Sequence, residues 1–383
     1  MVREGLRSKS SINDYESFKN YLSTMHIKAI EVMNNLGDVD RGYIEKFFQD
    51  YYPTKKEHYW SLKKLFSLAM YIPMFLQIGL TAVEKKFFDA IIYVDTHAGP
   101  GLAKVGGDEK DIVLGSPMLA VEWPKVVGSK LKGFKKITKG FTQLYFIEKD
   151  PRTYNVLQRI SHNMGNIGGT IKVYCGDSNY MLATIKREIS REFNNPLILM
   201  FIDPYGEFST QLRYGSLRSF VRDWAVDIVF NVMGPSLARG LMGKRANPWE
   251  LRRCIEGLWG DLCNLSNVNL SLCLCYNNLT QCNIGVEDIV KAYQERLGLD
   301  GYKFVDYIPV EYEGRVLYYL LFASKGRRSQ EWLGNYLNYL RTKAPNDYET
   351  LRRLWLQATG RLQSLSTWIK TTASKIRFKK VTQ

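Results

Sequence analysis

Several kinds of site are missing from this sequence. It has four histidines and six cysteines in 383 residues, and no two cysteines form a CxxC pair. A structural zinc needs that kind of spacing, so no metal is expected. Cys175, Cys254, Cys263, Cys273, Cys275 and Cys282 read as free thiols of a reducing cytosol. No GxxxxGK[ST] run occurs, which argues against triphosphate binding by a P-loop, and no GxGxxG opens a helix to hold a pyrophosphate. The N-terminus is polar and charged and gives no secretory signal. Internal repeats and low-complexity tracts are absent. Long apolar runs are almost absent too. The one exception, Leu65 to Val83, has nineteen residues without a formal charge and could span a bilayer by length. Ser67, Tyr71, Pro73, Gln77, Gly79 and Thr81 interrupt it, and it leads straight into an apolar run at Ala90. A helix buried against a sheet is the expectation, with no membrane.

What is present is a normal globular composition, 45% hydrophobic and 24% charged, with a formal charge of +15. That excess favours a polyanionic partner, nucleic acid before membrane, although general solubility would also use it. The charge is uneven. From Arg341 onward, ten Lys and Arg face two acids, Asp347 and Glu349, a net of +8. The C-terminal stretch is therefore the expected electrostatic handle. Its Leu351, Leu354, Leu362, Leu365, Trp368 and Ile369 form an apolar stripe that fits either a packed surface helix or a basic arm on nucleic acid.

Residues 1–56 read as a helical extension: apolar positions from Tyr15 to Met33 recur near the helical period, and a second short helix fits residues 40–52. Over 57–330 helix-length segments alternate with continuous apolar runs: AIIYVD, QLYFIE, IKVYCGD, PLILMFID and DIVFNV. Such runs mark strands buried on both faces, hence a mostly parallel, doubly wound α/β sheet. KFVDYIPVEYEGRVLYYLLFASKG predicts an antiparallel hairpin turning at Glu313-Gly314. Residues 331–383 read as a basic helical tail, with Asn346 or Asp347 capping its second helix.

Ligands of such sheets bind beyond the carboxyl ends of the strands. Asp95, Glu148, Asp177, Asp203 and Asn231 all stand at or just past those ends. Any one of them could be a turn or cap; five in succession suggest a site. The turn Ala98-Gly99-Pro100-Gly101 follows Asp95. A carboxylate there repels pyrophosphate and suits a cation. S-adenosyl-L-methionine carries a sulfonium and an α-amino group, and Glu148 for its ribose and Asp177 for its adenine amine follow in order. Ser116 and Pro117 predict the start of a delayed helix, with Ser116 as cap.

These motifs carry a resemblance. TKKEHYWSLKKLF, YVDTHAGPG, GSP, FIEKDP, GDSN and FIDPYGE, in this order, with NPWELRRCIEGLWGD and YYLLFASK beyond them, are similar to the three-Cys-motif partner protein (TcmP) family over roughly residues 54–330. Thr96-His97 departs from that pattern. The resemblance implies a Rossmann-like class I methyltransferase domain using S-adenosyl-L-methionine. It implies cofactor contacts at Asp95, Ala98, Gly99, Gly101, Ser116, Glu148, Gly176, Asp177 and Ser178, and a three-cysteine partner protein. Asp203-Pro204-Tyr205-Gly206 resembles the Asp-Pro-[Phe/Tyr]-Gly of tRNA guanosine methyltransferases. An exocyclic base amine delocalises its lone pair into the ring. A carboxylate and a carbonyl that accept its N–H bonds localise that pair, while an aromatic ring stacks on the base. Asp203, Pro204 and Tyr205 are thus the candidate catalytic residues, and RNA is favoured over DNA. A plain strand-end turn is the competing reading of this tetrad. A small-molecule or protein methyltransferase, or a non-catalytic subunit of the three-cysteine partner, remain the alternatives. Cys175, inside a strand, is expected to be buried. His97 is either a satisfied hydrogen-bonding residue or a base.

Overall fold

The computed structural model describes residues 14–51, 58–130, 137, 139–164, 169–204, 211–233, 286–345 and 347–362. The chain begins with α1 (Asp14–Asn34), α2 (Asp38–Tyr51) and α3 (Trp60–Glu84). Then come β1 (Ala90–Asp95), a short hairpin of β2 (Leu102–Lys104) and β3 (Ile112–Leu114), and α4 (Ser116–Lys130). Next are β4 (Gln143–Glu148), α5 (Pro151–Met164), β5 (Thr170–Cys175), α6 (Ser178–Glu192), β6 (Pro196–Ile202), α7 (Tyr214–Val221) and β7 (Ala225–Val232). The described chain ends with α8 (Val286–Leu299), β8 (Phe304–Tyr312), β9 (Arg315–Ser324), α9 (Ser329–Thr342) and α10 (Tyr348–Ala358).

Seven strands form one sheet in the order β5-β4-β1-β6-β7-β9-β8. The first five run parallel; β9 pairs antiparallel with β7, and β8 with β9. This is a doubly wound, Rossmann-like α/β sheet that ends in an antiparallel hairpin. The hairpin turns at Glu313 (φ 50°) and Gly314 (φ 71°), two successive left-handed residues, as a two-residue primed turn requires.

Successive residues of β1 point to opposite faces, and both faces are covered. Ile91 and Tyr93 join a core with α1, α3, α4, α5, α9 and α10. Ala90, Ile92 and Val94 join a second core with α6, α7 and α8. The hydrophobic segment of α3 meets the length and composition of a membrane span, yet 61% of that window is buried inside the protein. Its Leu65, Phe66, Leu68, Phe75 and Leu76 lie in the first core. Each such side chain, fully buried, contributes about 1.5–3 kcal/mol.

One expectation about burial is overturned. Cys175 is exposed. β5 is the edge of the sheet, so its residues are only partly covered, and both Thr170 and Cys175 at its ends are exposed. The other five cysteines lie outside the described residues.

Asp347 does cap α10, accepting from Thr350 N at 2.8 Å. Leu351 and Leu354 are buried there and Leu362 is exposed; Leu365, Trp368 and Ile369 lie outside the described residues. Helix α10 is tied to the β2–β3 hairpin. The buried Asp111 carboxylate accepts from Trp355 Nε1 at 2.9 Å and is gripped by the Arg361 guanidinium. On the same side α1 closes over β3, with His26 Nδ1 3.0 Å from Ile112 O. Helix α2 reaches the β4–α5 turn, where Tyr43 Oη donates to Asp150 Oδ1 at 3.1 Å and Arg159 pairs with Asp40. Both ends of the described chain therefore pack against segments next to the glycine turn, the β2–β3 hairpin and the β4–α5 turn.

Candidate active site at the strand ends

The turn after β1 is held by the two strands that flank β1. Thr96 N donates to Phe201 O of β6 at 3.1 Å, and Ala98 N donates to Ile147 O of β4 at 2.9 Å. The next amide, Gly99 N, donates to the Glu148 carboxylate at 2.9 Å. The turn thus continues the ladder on both sides while reversing direction. Gly101 has φ +83°, and a Cβ there would come 3.1 Å from Met118 Cγ. Glycine is needed at this position for both reasons. Gly115 packs on it, donating its N–H to Gly101 O at 2.8 Å.

Asp95 is fully buried and does not lie open to a ligand. Its carboxylate accepts from His97 N at 3.2 Å, from Tyr93 Oη at 3.3 Å, and from the Ser116 hydroxyl. Burial pushes its carboxyl up to about 7; the Ser116 and His97 bonds oppose the rise, and the charge of Asp203 adds to it. Ser116 therefore does not act as a cap. The helix begins at Ser116 itself, Leu119 N donates to Gly115 O, and the serine hydroxyl turns to the acid. That buried acid is the stronger acceptor.

Glu148 is half-buried at the end of β4. One oxygen takes the Gly99 amide, the other the Asp150 amide at 2.8 Å. Burial raises its carboxyl, and those two amides hold the rise in check. Gly176 continues the sheet by donating to Glu148 O at 3.0 Å. Asp177 is the N-cap of α6, accepting from Asn179 N at 2.9 Å, and pairs with Lys149 at 3.2 Å. Burial raises its carboxyl, but the Asn179 and Lys149 bonds outweigh that and leave it below the ordinary value. The Ser178 hydroxyl donates to Thr96 O, tying α6 to the turn. His97 Nδ1 lies 2.8 Å from the Thr96 hydroxyl.

Asp203 stands one residue past β6, followed by the buried Pro204. Tyr205 and Gly206 lie outside the described residues. Two partners hold the Asp203 carboxylate. Asn231 Nδ2, from β7, donates to Oδ1 at 2.6 Å, and Lys64 Nζ, from the second turn of α3, sits 2.5 Å from Oδ2. Asn231 Oδ1 is buried and finds no hydrogen-bond partner among the described residues. Sequence reasoning missed Lys64. It stands 139 residues from Asp203 in a helix whose own pattern is that of a core element, and no local spacing links the two. Among the described residues, no three His, Cys, Asp or Glu side chains gather as a metal site would.

The site is therefore a row of acids along one sheet edge, with a tight glycine turn at its centre. Gly99 opens into free space, where a Cβ would meet nothing within 4 Å. Beside it Glu148 keeps lone pairs for hydroxyls, while Asp95 is buried and Asp203 is paired with Lys64. The open glycine turn and Glu148 fit a nucleoside cofactor.

No family model matches the chain, and no curated protein matches it. Solved structures do. Trm1 from Pyrococcus horikoshii, solved with S-adenosyl-L-methionine, is similar at 11% identity and TM-score 0.32, over 69% of this chain and 57% of that one. The present chain thus spans little more than half the length of that protein. M. jannaschii TYW2 in complex with AdoMet is similar at 11% identity and TM-score 0.24, over 64% of this chain and 74% of that one. A protein of Legionella pneumophila follows at 13% identity and TM-score 0.25, over 46% and 73%. The fold assignment rests on the strand order itself.

Proposed function

We propose that this chain is an S-adenosyl-L-methionine-dependent methyltransferase of the TcmP type, acting in the cytosol on an exocyclic base amine of nucleic acid, RNA before DNA. One observation carries the reading. Asp203, at the end of β6, stands beside the otherwise unpartnered acceptor Asn231 Oδ1, on the same edge as the glycine turn. An amine has two N–H bonds to give, and two adjacent acceptors suit it. Asp95, Ala98, Gly99 and Gly101 would shape the methionine end, Glu148 would take the ribose hydroxyls, and Asp177 the adenine amine. Ser116, Gly176 and Ser178 would support that pocket. When bound, the cofactor would supply an electrophilic methyl on its sulfonium, with a neutral thioether as the leaving group. The amine nitrogen forms the new C–N bond with its lone pair, and the proton it loses passes to the Asp203 carboxylate. Pro204 stiffens the turn that aims this carboxylate, and Tyr205 is assigned to stacking on the base.

The test is titration of the protein with S-adenosyl-L-methionine, with NAD as control, followed by label transfer to total RNA. The Asp203→Ala variant should bind the cofactor and transfer nothing. Transfer at the wild-type rate by that variant would defeat the reading. A second reading, a cofactor-binding subunit of a three-cysteine partner, draws on the fact that both Asp203 oxygens are already engaged. Cofactor binding without transfer to RNA, DNA or protein would favour it.

A further inference from the structure

We propose that Lys64 determines substrate choice at this site: it neutralises Asp203 in the free protein and moves to a substrate phosphate when a nucleotide enters. Asp203 is then released only to an amine that arrives with a phosphate. The inference rests on the methyltransferase reading above.

Lys64 Nζ lies 2.5 Å from Asp203 Oδ2, and the two side chains keep 15% and 20% of their surface. The pair can therefore be opened from the solvent side. Oδ1 is held by Asn231 at 2.6 Å, so Oδ2 is the oxygen a substrate must claim. An ammonium left on Oδ2 would work against the reaction, because methyl transfer to a neutral amine places positive charge on its nitrogen. A phosphate is the natural second partner for a lysine on a long, flexible stem. The approach to this lysine suits a nucleotide. Trp60, one helical turn earlier on the same face of α3, is half-buried beside Tyr312 at 5.9 Å and Tyr348 at 6.0 Å. Aromatic rings next to a cation are how single-stranded nucleic acid is gripped without sequence preference.

The experiment compares wild type, Lys64→Met and Lys64→Arg, each first shown by thermal melting to be folded. Binding of a random-sequence single-stranded RNA is measured from 50 to 300 mM KCl. Lys64→Met should lower the slope of log affinity against log salt by about 0.7, one phosphate contact, and Lys64→Arg should keep it. Label transfer from S-adenosyl-L-methionine is then compared between that RNA and a mixture of free nucleosides. Wild type should prefer RNA, and Lys64→Met should narrow the preference at least tenfold, by losing rate on RNA and gaining it on nucleosides. An unchanged slope, or an unchanged preference in the methionine variant, overturns the proposal. If wild type transfers to neither substrate, the methyltransferase reading fails, and the salt slope alone still decides whether Lys64 meets a phosphate.

Discussion

Asp95 should make the free protein less stable as the pH rises from 6 to 8, and should make cofactor binding tighter over the same interval. The carboxyl has an ordinary value of 3.8 and is pushed up to about 7 by burial. In the unfolded chain it is ionised throughout this interval. In the folded protein it passes from about nine-tenths protonated to about nine-tenths ionised, by the titration arithmetic of a group near 7. The unfolded state therefore gains from two pH units and the folded state from one. The difference is one unit, about 1.4 kcal/mol lost from stability between pH 6 and pH 8. The sign is that of an acid with a raised folded value: its stabilising share is full below 3.8 and disappears as the pH climbs through 7. Asp95→Asn lacks this titration while keeping an acceptor for His97 N. Urea unfolding of both proteins at pH 6 and pH 8 isolates the carboxyl as a difference of differences. A cation bound nearby pulls the carboxyl back down, so the same proton contributes up to about tenfold tighter S-adenosyl-L-methionine binding at pH 8 than at pH 6. The asparagine variant reports the ligand's own titration. Parallel pH dependences of wild type and Asp95→Asn, in unfolding and in binding, would refute the argument that this acid is held protonated by burial.

Three further outcomes are expected. Glu148→Gln replaces an acceptor of the Gly99 and Asp150 amides by a group that can satisfy only one of them. Cofactor affinity, by equilibrium dialysis, should fall by about 1.5–3 kcal/mol, ten- to a hundredfold. Asp111→Ala orphans the buried Trp355 indole, while the partly exposed Arg361 re-solvates, so urea unfolding should show a loss of roughly 2–3 kcal/mol. Lys63 is buried on the Leu340 carbonyl, and burial brings its amine down to about 7. Its protonation favours the unfolded chain, so wild-type stability should rise by on the order of 2 kcal/mol from pH 7 to pH 9, and Lys63→Met should not show this rise.

The sheet and its ligand edge were legible because each parallel strand is an unbroken apolar run ending in an acid or amide. Asp95, Glu148, Asp203 and Asn231 stand where those runs end, and the hairpin turns at Glu313-Gly314 because two left-handed residues are needed there. What escaped the sequence was lateral. Whether a strand lies at the sheet's centre or edge is not written in its own residues, so Cys175 was misjudged. Ser116 matches the pattern of a cap, and only the fold brings Asp95 within reach of its hydroxyl. Lys64 meets Asp203, and Trp355 meets Asp111, across intervals with no local signal at all.

The Asp111 clamp has a consequence during synthesis. Its indole partner is 244 residues further along the chain. A ribosome adding about 5–20 residues per second leaves that carboxylate waiting for roughly ten seconds or more, with the hairpin held by α1 but not yet by α10. The glycine-turn end of the candidate site is thus encoded early and completed late. Ligand binding by a nascent chain should appear only once α10 has emerged, which makes the last described helix a timer for the competence of the first strand.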